Sequence, residues 1–257
     1  MINIAPYTNI CNVEDSFLNI STNFHISTDN SQLLPLADLV TEELSDIINF
    51  LDKSEHELES FGISLKIESS LNTEEYKIAV DADGVSITGG SERAITWGTV
   101  TLLQLVTLQD NRTALPFVNI TDKPDVEYRG MMLDLARCWH PIEVVKRCVV
   151  LCHYYKIKYL HLHFTDDQSW TLSSNIFPNL PTPDRHYTFE QLQDLEDYAN
   201  VRGVTIIPEI DVPGHSQAIA DALPDLVAVS TRTGNTVCPG LESTYQTLEK
   251  VFGEVCS

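Results

Sequence analysis

Basic residues are scarce in this chain of 257: lysine and arginine number 16 against 37 aspartates and glutamates, a formal net charge of −21. Such a surplus repels polyanions within a Debye length of about 8–10 Å at moderate salt, so nucleic acid is not an expected partner. Long apolar runs are also missing. No stretch approaches the roughly 20 residues that span a bilayer, so no membrane span is expected. The opening MINIAPYTNICNVEDS lacks the basic end and apolar stretch of a signal peptide. As given, the chain reads as cytoplasmic. Six cysteines (Cys11, Cys138, Cys148, Cys152, Cys238, Cys256) make no Cys-x-x-Cys pair and no zinc-ligand spacing. Free thiols are expected, not a disulfide framework. Three Asn-x-Ser/Thr triplets, at Asn19, Asn111 and Asn119, keep the compartment open, since they carry glycans only in a secretory pathway.

What is present suffices for a core: 43% of residues are hydrophobic, and the length allows a small domain plus a substantial part of a larger one. The pattern changes near residue 122. Before it, SLKIE (64–68) and EYKIAVDADGVSITGG (75–90) alternate as strands around an Asp-Gly turn, while 36–51 and 94–108 carry helical apolar spacing. That is a small α+β unit. TDKPDVEYRG (121–130) is polar with a central proline, and a regular βα alternation follows it, as in a parallel sheet or barrel. The expected domains are residues 1–122 and 123–257.

In the second part GMMLDLA reads as a strand and 141–155 as its helix, with Pro141 at a first-turn position that suits its fixed φ. YLHLHF is the next strand. Residues 188–202 form a helix with Leu192, Leu195 and Ala199 on one face and Gly203 as its stop; VTIIPEI is the third strand, and 245–255 begins another helix. Polar residues gather after each strand: Asp134 and Arg137, then Asp166, Asp167 and Gln168, then Glu209, Asp211 and His215. Barrels of the TIM type place their sites at these C-terminal ends.

The stretch YLHLHFTDDQSW (159–170) is the most informative. If Leu160, Leu162 and Phe164 face helices, alternation sends His161, His163 and Thr165 to the interior and brings the two aspartates to the mouth. Paired carboxylates there suggest chemistry or ligand binding. The plainer alternative is that Asp166 or Asp167 caps the following segment and the histidines are hydrogen-bonded core residues. His-Leu-His could also begin a zinc or dinuclear site, which needs ligands from later strands. The chain offers only His215 on a loop, so no metal and no cofactor are expected.

Three segments then carry a resemblance: YRGMMLDLARCWHP (128–141), YKIKYLHLHFTDDQSW (155–170) and PEIDVPGHSQA (208–218), in this order and at strand ends. Together they resemble glycoside hydrolase family 20, the β-N-acetylhexosaminidases. RAITWGTVTLLQLV (93–106) is similar to the end of the small α+β domain that precedes that family's barrel. The resemblance implies an α/β fold with a (β/α)8 TIM-type barrel, of which about the first three βα units fall within this sequence. It also implies cleavage of terminal N-acetylglucosamine or N-acetylgalactosamine from glycoconjugates or chitin oligomers, and members are often exported or lysosomal. In that family the substrate's acetamido oxygen attacks its own anomeric carbon, and the protein supplies an acid and groups that orient the acetamide.

Carried over by motif position, Arg129 would bind sugar hydroxyls, and Asp166 with His215 would form the charged network that tunes the acid. Asp211, His163 and Asp167 are supporting candidates. Each has a plainer role: Arg129 pairing with Asp125 or Glu127, His215 satisfied by backbone in a Pro-Gly-His turn, Asp211 serving its loop. One element departs. The family's His-x-Gly-Gly-Asp-Glu does not occur, the only Gly-Gly pair being Gly89-Gly90, and the sequence closes with LEKVFGEVCS in the helix expected before a fourth strand. The chain is thus expected to be the N-terminal portion of a hexosaminidase, inactive alone because the acid is absent. The alternative is a non-catalytic glycan-binding or interaction module on the same fold.

Overall fold

The computed structural model describes residues 4–51, 60–227 and 236–256; the first three residues of the stretch read for a leader, and Ser257, lie outside it. The chain divides into two compact units: Met1–Arg129 with Leu151–Lys158 and Asn200–Val204, and Gly130–Val150 with Tyr159–Ala199 and Thr205–Ser257.

The first unit is a mixed sheet with two helices. In chain order come β1 (Ile10–Asn19), β2 (Phe24–Thr28), α1 (Leu34–Leu51), β3 (Phe61–Ile67), β4 (Tyr76–Asp81), β5 (Gly84–Gly89), α2 (Glu92–Leu105), β6 (Thr107–Gln109) and β7 (Arg112–Asp122). The strand order is β1-β7-β4-β5-β3-β2, with β6 pairing β7. Period two buries Ile63 and Leu65 of β3, Ile78 and Val80 of β4, and Val85 and Ile87 of β5. They pack in one core with the stripe Leu36, Val40, Leu44 and Ile48 of α1 and with Ile95, Trp97 and Leu105 of α2. The expected Asp-Gly turn is a two-residue connection: Asp81 pairs with Gly84, and the Asp81 carboxylate accepts from the Asp83 N–H at 2.9 Å. Gly84 has φ +132°, and a Cβ there would lie 2.5 Å from the Gly62 carbonyl oxygen, so only glycine fits. Helical spacing suggested that the helix ending this unit runs to Leu108. It stops at Leu105, and Thr107–Gln109 pair instead with β7, because the backbone groups there gain ladder partners.

Three charged or polar groups are buried in this unit as one connected set. Lys156 Nζ donates to the Tyr76 hydroxyl at 2.8 Å, which donates to Asp122 Oδ2 at 2.6 Å; the other Asp122 oxygen accepts from the Asn9 N–H at 3.0 Å. Burial draws the Lys156 ammonium down to about 8 against the pull of Asp122, and it pushes the Tyr76 phenol up.

The second unit holds β8 (Gly130–Asp134), most of α3 (Ile142–Tyr154), β9 (Tyr159–His163), most of α4 (Phe189–Val201), β10 (Thr205–Glu209), α5 (Gln217–Ala222) and α6 (Glu242–Val255), the ends of α3 from Leu151 and of α4 from Asn200 falling in the first. Its strands are parallel in the order β10-β9-β8, so the fold is α/β. Leu160, Leu162 and Phe164 are buried, leaving His161 and His163 on the opposite face of β9. Gly203, at φ +69°, ends the α4 segment as expected. Two features differ from the sequence pattern: the last helix begins at Glu242, not near Tyr245, and α5 is too short for periodicity to announce. All six cysteines are free among the described residues.

Candidate active site

Register builds the site. Asp134, His163 and Glu209 are paired neighbours across β8, β9 and β10, so one row of the sheet ends in carboxylate, imidazole and carboxylate, with strands about 4.8 Å apart. Two residues earlier on the same face, His161 Nε2 lies 2.6 Å from Glu209 Oε2. His163 sits between two acids: Nδ1 is 3.1 Å from Glu209 Oε1 and Nε2 is 2.9 Å from Asp166 Oδ2. Burial alone would lower its basicity, but the two carboxylate partners prevail and hold His163 above the usual imidazole value.

Asp166 is the centre. It is 2% exposed, yet it is held between an arginine and a histidine. Arg137 Nη2 is 2.5 Å from Oδ2 and His163 is on its other side, while Oδ1 accepts from the Asp167 N–H at 2.7 Å. The turn that points it inward is closed by its own N–H to the Ser169 carbonyl at 3.0 Å and by Ser169 Oγ to the Ala136 carbonyl at 2.6 Å. Arg137 also reaches Asp134, Nη1 to Oδ2 at 2.7 Å, and its own N–H donates to Asp134 Oδ1 at 2.9 Å. Burial would raise the Asp134 carboxyl, but these bonds outweigh it and keep Asp134 below the usual range.

The third strand's loop supplies the outer part. His215 Nδ1 is 2.9 Å from Asp211 Oδ2 and 3.4 Å from Asp166 Oδ2, and His215 holds φ +51°, a conformation that costs free energy in a residue with a side chain. Asp211 is fixed by its N–H to Thr165 Oγ1 at 2.9 Å, and Asp167 accepts the Gln217 N–H at 3.1 Å. Arg137 and His215 keep 45% and 53% of their side chains exposed, so the cluster is buried at its base and open at its mouth. Trp170, by contrast, is 1% exposed and belongs to the core of the loop.

Of the residues expected from sequence, Asp166, His215, Asp211, His163 and Asp167 come together here. Arg129 does not join them. It precedes β8 and belongs to the first unit, whereas the cluster follows the strands of the second. Its guanidinium carbon stands 4.6 Å over the Trp97 ring, Nη1 is 3.4 Å from Glu74, and Nε donates to the Lys156 carbonyl at 3.2 Å. The arginine at the cluster is Arg137. Arg137, Asp134 and Glu209 were visible as strand-end residues, but only the register joins them.

Two sets could hold a cation by donor type and spacing: His163, Glu209 and Asp211, and Asp166, Asp211 and His215, whose donor atoms lie within 4.8 Å of one another. Their present bonds favour an ion-pair network instead. Both nitrogens of His163 face carboxylates, and the Arg137 guanidinium already meets the Asp166 oxygen that a metal would use.

Comparison with known proteins agrees across the length of the chain. The glycosyl hydrolase family 20 catalytic domain matches residues 126–257 and the family's domain 2 matches residues 1–123. A β-hexosaminidase of Vibrio furnissii is 29% identical, covering 100% of this chain and 46% of its own length. One of Akkermansia muciniphila is 33% identical, covering 72% and 43%. Among solved structures, an exo-β-N-acetylglucosaminidase of Vibrio harveyi in complex with N-acetylglucosamine superposes with a TM-score of 0.84 at 28% identity, covering 98% of this chain and 44% of that one. A β-N-acetylhexosaminidase of Bacteroides fragilis does so at 0.85 and 27%, covering 98% and 54%. The chain spans less than half the length of the curated relatives it matches.

Proposed function

Because the chain belongs to glycosyl hydrolase family 20, we propose that it forms the N-terminal part of a β-N-acetylhexosaminidase, in which β8, β9 and β10 are the first three strands of a (β/α)8 barrel. The reaction is removal of terminal non-reducing N-acetylglucosamine or N-acetylgalactosamine from glycoconjugates or chitin oligomers, with the substrate's own acetamide as nucleophile. The observation that carries this reading is the buried Asp166 carboxylate, clamped by Arg137 and His163 and flanked by His215 at the C-terminal strand ends.

Each part has a task. The exposed edge of the Arg137 guanidinium offers fixed donors to sugar hydroxyls, and its pairing with Asp134 and Asp166 sets their direction. Asp166 with His215 and Asp211 makes a charged network whose sign biases the protonation of a neighbouring acid. Glu209 and His163 keep Asp166 from swinging. The family's Gly-Gly-Asp-Glu element is absent from these 257 residues, so the acid is not supplied by that motif here.

A second reading is a glycan-binding module without turnover, since the open mouth of the cluster offers Arg137 and His215 to a ligand whether or not chemistry follows. Both predict selective binding of N-acetylglucosamine over glucose by the purified chain, lost in Arg137→Ala, and neither predicts hydrolysis of an aryl N-acetylglucosaminide by these residues alone. No preference for the acetamido sugar would reject both. A longer protein carrying these residues and hydrolysing the aryl glycoside separates them in favour of the enzyme.

A further inference from the structure

Arg137 opens the irregular segment 137–140 that joins β8 to α3, and Cys138 beside it is exposed. At the near end of this segment Ser169 Oγ holds the Ala136 carbonyl. At the far end the holding group is Tyr187, from a distant part of the chain: its hydroxyl donates to the His140 carbonyl at 2.5 Å, and its ring lies 6.1 Å from that of Trp139 with the planes 25° apart. Tyr187 is itself firmly placed. It is 1% exposed and stands edge-on to Phe164, the residue after β9, at 6.1 Å. Its N–H donates to the Thr171 carbonyl at 2.9 Å, and its own carbonyl accepts from Ser173 Oγ at 2.7 Å. Directly after it Thr188 and Gln191 cap α4 reciprocally, the Gln191 N–H to Thr188 Oγ1 at 3.2 Å and the Thr188 N–H to Gln191 Oε1 at 3.0 Å.

We propose that Tyr187 is a positioning residue for Arg137: its hydroxyl and ring fix the segment 137–140, and so the direction in which the guanidinium meets a ligand. The proposal rests on the reading of Arg137 given above. A phenylalanine ring would fill the same space between Trp139 and Phe164, so packing alone does not call for a hydroxyl, and a buried hydroxyl is kept where it has a partner. The partner here is the backbone of a solvent-facing loop, so the bond narrows the positions of the loop and adds little to the core. Burial raises the Tyr187 phenol against the pull of the His140 bond, so the hydroxyl keeps its proton and donates at neutral pH. A guanidinium recognises hydroxyls by direction, and a donor set in place before the sugar arrives loses no binding free energy to ordering.

The test is Tyr187→Phe, which removes the hydroxyl and keeps the ring, read in two ways on the isotope-labelled 257-residue chain. In NMR spectra the Arg137 Nε–H signal, assigned by its loss in Arg137→Ala, should shift or broaden while the backbone signals of β8, β9 and β10 stay in place. N-acetylglucosamine affinity should fall about fivefold. Trp139→Leu, which removes the stacked ring from the loop and leaves Tyr187 whole, should move both readings in the same direction. A double-mutant cycle separates positioning from general support: once Arg137 is alanine, Tyr187→Phe should weaken binding no further. A double variant about fivefold weaker than Arg137→Ala alone, an unchanged Arg137 signal, or an unchanged affinity in Tyr187→Phe overturns the proposal while the glycan reading stands. Failure of the native chain to bind the sugar overturns the glycan reading instead, and the Arg137 signal alone then decides whether Tyr187 places it.

Discussion

Two arginines bracket the strand β8, and the regions they belong to behave in opposite ways. Arg129, before the strand, lies over Trp97 and is 18% exposed; with Lys158 it shares the carboxylate of Glu74, Lys158 Nζ to Oε1 at 2.7 Å. Arg137, after the strand, spans Asp134 and Asp166 with nearly half its side chain in solvent. The first region uses charge to satisfy buried groups, with Arg129 Nε and Nη1 bonded to protein and Nη2 buried without a hydrogen-bond partner. The second collects more charge than its own bonds require and leaves donors facing outward. Charge of the first kind appears in stability, and charge of the second kind in binding.

The largest effect expected from breaking this contrast is on the closed side. Arg129→Ala removes the cation over Trp97 and leaves Glu74 with one partner, so the chain should lose about 3 kcal/mol of stability in urea titration, with sugar binding per folded molecule preserved. Loss of binding without loss of stability would return Arg129 to the sugar. Asp166→Asn stands next, because Asp166 belongs to both kinds: buried like the first region, placed at the mouth like the second. It should cost about 2 kcal/mol by leaving Arg137 and His163 without their shared anion, and weaken N-acetylglucosamine binding at least about tenfold. A destabilised variant with unchanged affinity would make Asp166 a cap of its turn and nothing more.

Much of this contrast was legible in the residues. Strict alternation in YLHLHF placed the histidines on one face, and the Asp-Asp step at its end announced a mouth, because both signals are local. Asp134, His163 and Glu209 come together only through the register of three strands, which no single segment encodes. Both arginines lie in one motif, YRGMMLDLAR, and composition does not separate them. Their places do: a parallel strand delivers its site residues at its C-terminal end, which points to Arg137. The short α5 escaped notice because six residues make less than two turns, and Thr107 and Leu108 read as helix because the apolar spacing continues past the point where β7 offers backbone partners.

Arg137→Ala sharpens the comparison from the open side. Although 45% of its own side chain is exposed, its loss leaves the buried Asp166 carboxylate with only the histidines beside it, so stability should fall by about 1–2 kcal/mol, less than in Arg129→Ala. The missing donors should cost about tenfold in N-acetylglucosamine affinity, or about 1.4 kcal/mol. Arg137→Lys restores the charge without the planar fork and should recover only part of it. Full recovery by lysine would reduce the role of Arg137 to net charge alone.

The smallest effect expected is on the pH dependence of the closed side, and it turns on Lys156. Its ammonium is held at about 8 in the fold by burial, with Asp122 opposing, against about 10.4 in an unfolded chain. Below pH 8 the group is charged in both states, and the fold bears the whole cost of burying it. Between pH 8 and about 10.4 the folded state has lost the proton that the unfolded state still binds, so stability rises with pH through this window. Tyr76 and Cys148 work against that rise: burial raises both, so each gives up its proton in the unfolded chain first. The quantity to measure is therefore the difference between the native chain and Lys156→Met, in which those opposing groups are common to both. Asp122 keeps Tyr76 and the Asn9 N–H in that variant, so the fold should survive. From urea midpoints at pH 8.0 and 9.5, the native chain should gain about 1 kcal/mol on the methionine variant. A difference that stays constant between those two pH values would mean that Lys156 keeps its proton throughout and that its partners compensate its burial in full.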